Sequence, residues 1–293
     1  MHPVKRSLWS LHLTVALLGA TALMSKIIPL SAIDITFGRS IIACIVLVIV
    51  VKLSGESMRL RSTKDYLIAL ALGVLMSAHW VTYFAAMQYS SVSVGMVALF
   101  TFPVIAVLLE PFFEGIRLVW QDLASALVVF IGIILIVPEV SLENEVTLGI
   151  LIGVFSAVLY ALRNLCHRKY FSHYGGAHAM AYQTLIIFVS LLFFVSDNLL
   201  TATSDTYMWL IVLGIFLTAL PHALIATSLK HLRVKTFALV ACMQPFYGVI
   251  LAIVILDESP NWQTFLGGIL VISAAIYETV NAQKLHRRKE SEE

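Results

Sequence analysis

Mostly apolar runs of about 20 residues recur along the whole chain of 293 residues, and they limit what it can fold into more than any other feature. A helix of that length, at roughly 1.5 Å per residue, crosses the ~30 Å hydrocarbon core of a bilayer. Inside hydrocarbon the backbone must satisfy its own hydrogen bonds, which leaves helices and closed barrels, and these runs lack the alternation of barrel strands. Charge is scarce as well: 12% of residues are charged and 60% hydrophobic, too little polarity to cover a soluble protein of this size. The expected fold class is all-α integral membrane.

Polar breaks divide the runs into ten expected spans, at 8–28, 34–52, 66–88, 94–113, 121–138, 148–167, 177–196, 207–229, 236–256 and 263–282. Sorting the basic residues between alternate sides tests that count. One side takes Lys5, Arg6, Lys52, Arg59, Arg61, Lys64, Arg117, Arg168, Lys169, Lys230, Arg233, Lys235, Lys284, Arg287, Arg288 and Lys289. The other takes none and carries Glu139, Glu143, Glu145, Asp197, Asp205, Asp257 and Glu258. The positive-inside rule then puts both termini, with the charged tail 283–293, in the cytoplasm of a cell whose plasma (inner) membrane holds the protein. Lys5 and Arg6 precede the first span as they would in a signal peptide, but at about 20 residues the run is long enough to cross the bilayer and is expected to be retained.

The chain also repeats itself. "FPVIAVLL" in the fourth span matches "QPFYGVIL" in the ninth, and from Pro103 to Trp120 and from Pro245 to Trp262 the distance is 17 residues each time. The same offset of 142 lays "LLGATALMSK", ending at Lys26, over "LYALRNLCHR", ending at Arg168. Two five-helix units are expected, at 8–138 and 148–282. Because five is odd, the second enters the membrane from the opposite side, giving an inverted repeat. That architecture suits a carrier whose midplane site faces each side in turn.

In Gly19 to Lys26, in Arg39, in Pro103 with Glu114 and in Pro245 with Glu258, the chain resembles the drug/metabolite transporter superfamily, in its EamA-domain branch of ten-helix transporters. The resemblance runs over about residues 8–282. It implies export or exchange of small metabolites, commonly amino acids and their analogues, through a cavity lined by spans 1, 3, 4, 6, 8 and 9. The sequence departs from the pattern in two places: the glutamates follow their prolines by 11 and 13 residues, and the seventh span has no counterpart of Arg39.

Polar side chains are costly in hydrocarbon and so should face the bundle interior. His79 and Tyr83 lie one turn apart on span 3, with Trp80 turned about 100° away. His222 falls near the middle of span 8, Gln244 near that of span 9, and Thr101 and Phe102 near that of span 4. Tyr160, Arg163 and Asn164 share a face of span 6. These positions are the candidate substrate-binding residues, together with an aromatic set of Trp80, Tyr83, Phe84, Phe102, Tyr160, Phe246 and Tyr247 suited to a partly apolar substrate. Arg163 either holds a substrate carboxylate, snorkels to the cytoplasmic surface, or pairs with Glu110 or Glu278. For Arg39 a structural or gating ion pair is expected, with a substrate role as the alternative, Asp34 being within reach of it and of Lys26. Pro103 and Pro245, at the centres of spans 4 and 9, are candidate kinks or hinges that each free a carbonyl one turn earlier.

Cys44, Cys166 and Cys242 lie in apolar runs and read as packing residues. No GxxxxGK[ST], HExxH or paired acidic motif occurs, so no cofactor or metal is expected, nor any nucleic-acid partner. The expected partners are a small-molecule substrate and the lipid bilayer. The small residues of "ASALVVFIG" and "GGILVISAA" suit either internal packing of spans 5 and 10 or a homodimer seam. The expected function is a secondary transporter driven by gradients, most naturally for amino acids or related compounds, with proton coupling left open. The alternative is a membrane scaffold without flux. An enzyme is not expected, because no nucleophile, base and orienter are brought together.

Overall fold

A computed structural model of the chain describes residues 3–114, 118–137, 141, 143–222, 224, 241 and 243–292. Among these residues every regular element is helical. In chain order they are α1 (Pro3–Thr21), a short α2 (Met24–Ile27), α3 (Ala32–Leu53), α4 (Thr63–Tyr89), α5 (Val92–Leu99), α6 (Phe102–Glu114), α7 (Trp120–Ile136) and α8 (Glu145–Tyr170). There follow α9 (Gly176–Leu191), a short α10 (Asp197–Leu200), α11 (Ser204–Gly214) with a π-helical turn over Ile215–Ala219, α12 (Gln244–Leu256) and α13 (Trp262–Glu292). Arg117, Glu139, Lys230, Arg233, Lys235 and Cys242 lie outside the described residues.

Side chains set several of the helix starts. Ser31, Ser62, Ser91, Asn144 and Thr203 each accept a hydrogen bond from a backbone N–H of the first turn that follows, supplying one of the orphan donors of a helix N-terminus. Leu53, Phe112 and Phe193 are 84%, 82% and 89% exposed. So much isolated apolar surface would be a liability in water and is ordinary against lipid tails.

Five helical stretches are long and apolar enough to cross a membrane: Ala32–Leu53, Thr63–Tyr89, Val92–Phe113, Glu145–Tyr170 and Ser204–His222. Five apolar helices are shorter: His12–Ile27, Trp120–Ile136, Gly176–Leu191, Gln244–Leu256 and Trp262–Tyr277. In chain order these ten stretches overlap the ten expected spans. The shorter ones, at 10–17 residues, reach about 15–25 Å, which is why length alone does not make them crossings. The structure also breaks runs that read as continuous. The first span splits between α1 and α2, and the fourth splits at Phe100–Thr101. The last helix runs on through the expected charged tail to Glu292, because that tail holds good helix formers and no Gly or Pro.

Pro103 and Pro245 do not interrupt their helices from the middle. Each is the second residue of its segment, α6 and α12, where a missing N–H costs little. The chain is already broken at Phe100–Thr101, just before Pro103, where Phe100 N–H donates to Met96 O at 3.0 Å and Thr101 Oγ1 to Ala98 O at 2.8 Å. Pro111, which lies inside α6, is the proline in mid-helix.

α8 is the structural centre, packing on α4, α5 and α6, while α3 packs on α9 and α7 on α13. Close approach needs small residues at two of these seams. A Cβ on Gly149 or Gly153 of α8 would come within 2.8 Å of Ala86 O or the Ala98 side chain. Gly132 and Gly267 back onto each other across α7 and α13, a Cβ on Gly267 falling 2.6 Å from Gly132 O. The small residues of these two helices are thus used within the chain.

Candidate functional site

The tight α4–α8 seam brings His79 of α4 against Ser156 of α8, and both are buried. His79 Nδ1 lies 2.8 Å from Ser156 Oγ and 3.1 Å from Ser156 O, while Ser156 Oγ–H donates to His79 O at 3.0 Å. Since the single hydroxyl proton is used in that bond, Nδ1 must be the donor in the other. A neutral imidazole then presents Nε2 as a bare acceptor, and no partner contacts Nε2 among the described residues. The bonds to Ser156 therefore tie one side of the ring to the neighbouring helix and leave the other side free.

Aromatic rings extend from that point. Tyr160, one turn beyond Ser156 on α8, stacks on His79 with centroids 4.6 Å apart and planes 20° apart. Phe102 meets Tyr160 edge-on at 4.8 Å, and Phe100 meets Phe102 at 5.5 Å. The helix break at Phe100–Thr101 lets two aromatic residues turn into one cluster, which an unbroken span would not do. Tyr83 lies 6.1 Å from His79 and points its hydroxyl at Met96 Sδ, 3.9 Å away and a weak acceptor. Phe246, expected in the aromatic set, is 51% exposed and stands apart from this cluster.

Two guanidinium groups flank the rings. Arg163, on the next turn of α8, donates from Nε to Gln183 Oε1 at 2.8 Å, from Nη1 to Asn164 Oδ1 at 2.9 Å and from Nη2 to Met180 Sδ at 3.4 Å. It neither snorkels nor pairs with Glu110, which is bound to Arg168 at 2.5 Å; the Glu278 side chain lies outside the described residues. Arg39 is 3% exposed and lies with Cζ 3.9 Å from the centroid of the Trp80 ring and 5.3 Å from that of Phe84. Its expected ion pair is not formed: Asp34 instead accepts from Ser31 Oγ, Ser196 N and Ser196 Oγ at 2.7–2.9 Å, and Lys26 donates to Gln88 O and Ser90 O. The serines sit closer to the carboxylate at the start of α3 than Arg39, seven residues into the helix.

His222 is half-buried at the end of the stretch that contains the π-helical turn. Gln244, half-buried, donates to Leu18 O at 3.4 Å. Thr101 is spent on capping Ala98 O. Sequence reasoning missed Ser156 and Gln183, the partners that orient His79 and Arg163. The spacing Gly149, Gly153, Ser156 on α8 is a small-residue face that marks the seam, and Gln183 is the one amide within its apolar run.

Contacts at the two ends of the bundle join the halves of the chain. At one end Glu258 accepts from Val92 N, Ser93 N and Ser93 Oγ at 2.7–3.1 Å, at the N-terminus of α5, and Asp34 holds Ser196. At the other, Arg168 binds Glu110, Lys169 reaches Phe113 O, and Tyr174 donates to Asp65 at 2.9 Å.

The profile of the EamA-like transporter family matches the chain twice, over residues 6–137 and 147–277. An uncharacterized transporter of Bacillus subtilis, YxxF, is 22% identical over 277 residues, 92% of this chain and 88% of its own. Uncharacterized transporters of Clostridium kluyveri and Archaeoglobus fulgidus are 24% and 22% identical, over 66% and 67% of this chain and 63% and 70% of theirs. A solved crystal structure superposes with a TM-score of 0.64 at 17% identity, covering 94% of this chain and 97% of the other, which shows a shared fold.

Proposed function

The chain belongs to the EamA-like transporter family and is a membrane transporter, and from that premise we propose that it is a secondary carrier of amino acids or related small metabolites, working by alternating access around the His79–Ser156–Tyr160 cluster. The observation that carries this reading is the meeting, at that cluster, of α4 from one family-matched segment with α8 from the other. A site built from both segments changes shape when they move relative to one another, and alternating access needs such a site.

Two further observations support it. All ten apolar stretches are taken as crossings in this reading, with the two segments as inverted five-helix repeats. Pairing an element of one repeat with its counterpart then makes α3–α9 and α7–α13 contacts of equivalents, and it exchanges α6–α8 with α12–α1, all of which occur. The cytoplasmic placement of both termini, in an inner membrane, follows from the charge sorting. The ties at the two bundle ends act as outer and inner latches: Glu258 on α5 outside, Arg168 on Glu110 inside.

At the cluster an amino acid finds complementary chemistry. His79 Nε2 accepts from an ammonium, the stacked Tyr160 and Phe102 rings cover an apolar side chain, and a guanidinium suits a carboxylate. Energy comes from solute gradients, with no cofactor in the scheme, and self-association would use faces other than the Gly132–Gly267 seam. The test is efflux from proteoliposomes preloaded in turn with neutral, aromatic, acidic and basic amino acids. Saturable release of one class, reduced at least tenfold in Ser156→Ala and His79→Ala, is expected. Equal release from both variants would remove the cluster from the site.

A further inference from the structure

We infer that Arg39 is the receptor for a substrate carboxylate, and that the solute this protein carries is therefore a carboxylate-bearing organic compound and not an amine or a cation. The inference rests on the proposed carrier function and names its substrate class.

A cation this deep in a bundle is normally neutralised. Removing a guanidinium from water is costly unless a partner anion and full hydrogen bonding replace the water. Arg39 has neither: its Nε is a buried donor without an acceptor, the only such side-chain atom among the described residues. Its Cζ lies 3.9 Å from the centroid of the Trp80 ring, and an aromatic ring attracts the cation without taking up the N–H edge that carries the orphan Nε. That edge is the geometry a carboxylate binds through two parallel hydrogen bonds.

Among the described residues no carboxylate is free to serve Arg39. Asp34 is occupied by Ser31 and Ser196, Glu258 by the start of α5, and Glu110 by Arg168. The segment 223–243, which precedes α12, contains no Asp or Glu. Arg163 adds a second cation whose bonds go only to an amide on Gln183, an amide on Asn164 and a sulfur on Met180. Among the described residues no carboxylate bonds to either guanidinium, so the interior around them carries uncompensated positive potential. Such a field draws in anionic groups and repels cations before any contact is made. An α-amino acid offers both complementary groups, a carboxylate for Arg39 and an ammonium for the bare His79 Nε2.

The experiment uses the full-length protein, with Arg39→Met and Arg39→Lys, and the probes L-leucine, L-phenylalanine, their α-amides and their decarboxylated amines. Two readouts are taken: ligand-induced shift in melting temperature in detergent, and efflux from proteoliposomes. The wild type is expected to respond to the amino acids and not to the amides or amines. Arg39→Met is expected to weaken that response at least about 30-fold, as loss of one member of a buried charge pair does, with partial recovery in Arg39→Lys. Without ligand, Arg39→Met should melt about 2–4 °C higher than the wild type, because an unpaired buried charge has gone; a folding defect would lower it instead. If Arg39→Met handles the amino acids as the wild type does, or if the wild type responds equally to amides and amines, the inference is overturned while the carrier reading stands. If no probe shifts or crosses with the folded wild type, both are overturned for this solute class.

Discussion

At the residue scale, the bundle uses its polar groups in two ways. Those at helix ends are saturated: Glu258 accepts three hydrogen bonds at the N-terminus of α5, where the helix dipole also favours a negative charge. Glu258→Gln removes the charge and one acceptor geometry, and is expected to cost about 1–2 kcal/mol of stability, read as a lower melting temperature that does not depend on substrate. Those at the centre are left incomplete, with His79 Nε2 bare and Arg39 without an anion. In the sequence, the incompleteness of Arg39 was hidden because Asp34 stands close by in the chain. Proximity in sequence suggested a pair; the serines at 31 and 196 intercept the carboxylate, and the second of these comes from the other half of the molecule. His79, Tyr160 and Arg163 were legible because a polar side chain in an apolar run has few reasons to be there. Ser156 was not, since a serine in a membrane helix commonly bonds its own backbone.

At the element scale, the positions of helices followed from apolar periods and polar breaks, while their internal irregularities did not. The break at Phe100–Thr101 and the π-helical turn at Ile215–Ala219 both lie inside stretches that read as uniform. The turn at 215–219 is matched by a local bond, Thr218 Oγ1 donating to Leu213 O, and by one from α1, Thr21 Oγ1 donating to Leu217 O, which depends on tertiary packing. Close helix contact is the other requirement at this scale. Gly149→Leu would drive a side chain into Ala86 O and Ser90, where α8 lies tightest against the end of α4. It is expected to destabilise by about 1–3 kcal/mol or more and, by forcing α8 away from α4, to break the Ser156–His79 bonds. A combined loss of melting temperature and flux, against a near-neutral Gly175→Ala control whose Cβ would meet nothing closer than Glu56 Oε2 at 3.7 Å, is the predicted pattern. Gly132→Leu at the α7–α13 seam should lower stability with a smaller effect on substrate affinity, because that seam is remote from the cluster.

At the scale of the whole molecule, the account joins two observations: a family profile that matches twice and a polar cluster formed where the two matched segments meet. Charge sorting supplies the orientation, and single cysteines at Glu56 and Glu143 test it. In a background from which Cys44, Cys166 and Cys242 have been removed, cysteine at 56 should react with an impermeant thiol reagent only after the inner face is opened, and cysteine at 143 from outside intact cells. The measurement that bears most directly on the central claim is trans-stimulation. Proteoliposomes loaded with a labelled amino acid are diluted into buffer with and without the same unlabelled amino acid. A carrier whose site faces one side at a time returns faster when loaded, so external solute should accelerate efflux by several-fold and Ser156→Ala should blunt the acceleration. Efflux that rises linearly with concentration and ignores external solute would contradict alternating access and indicate a pore.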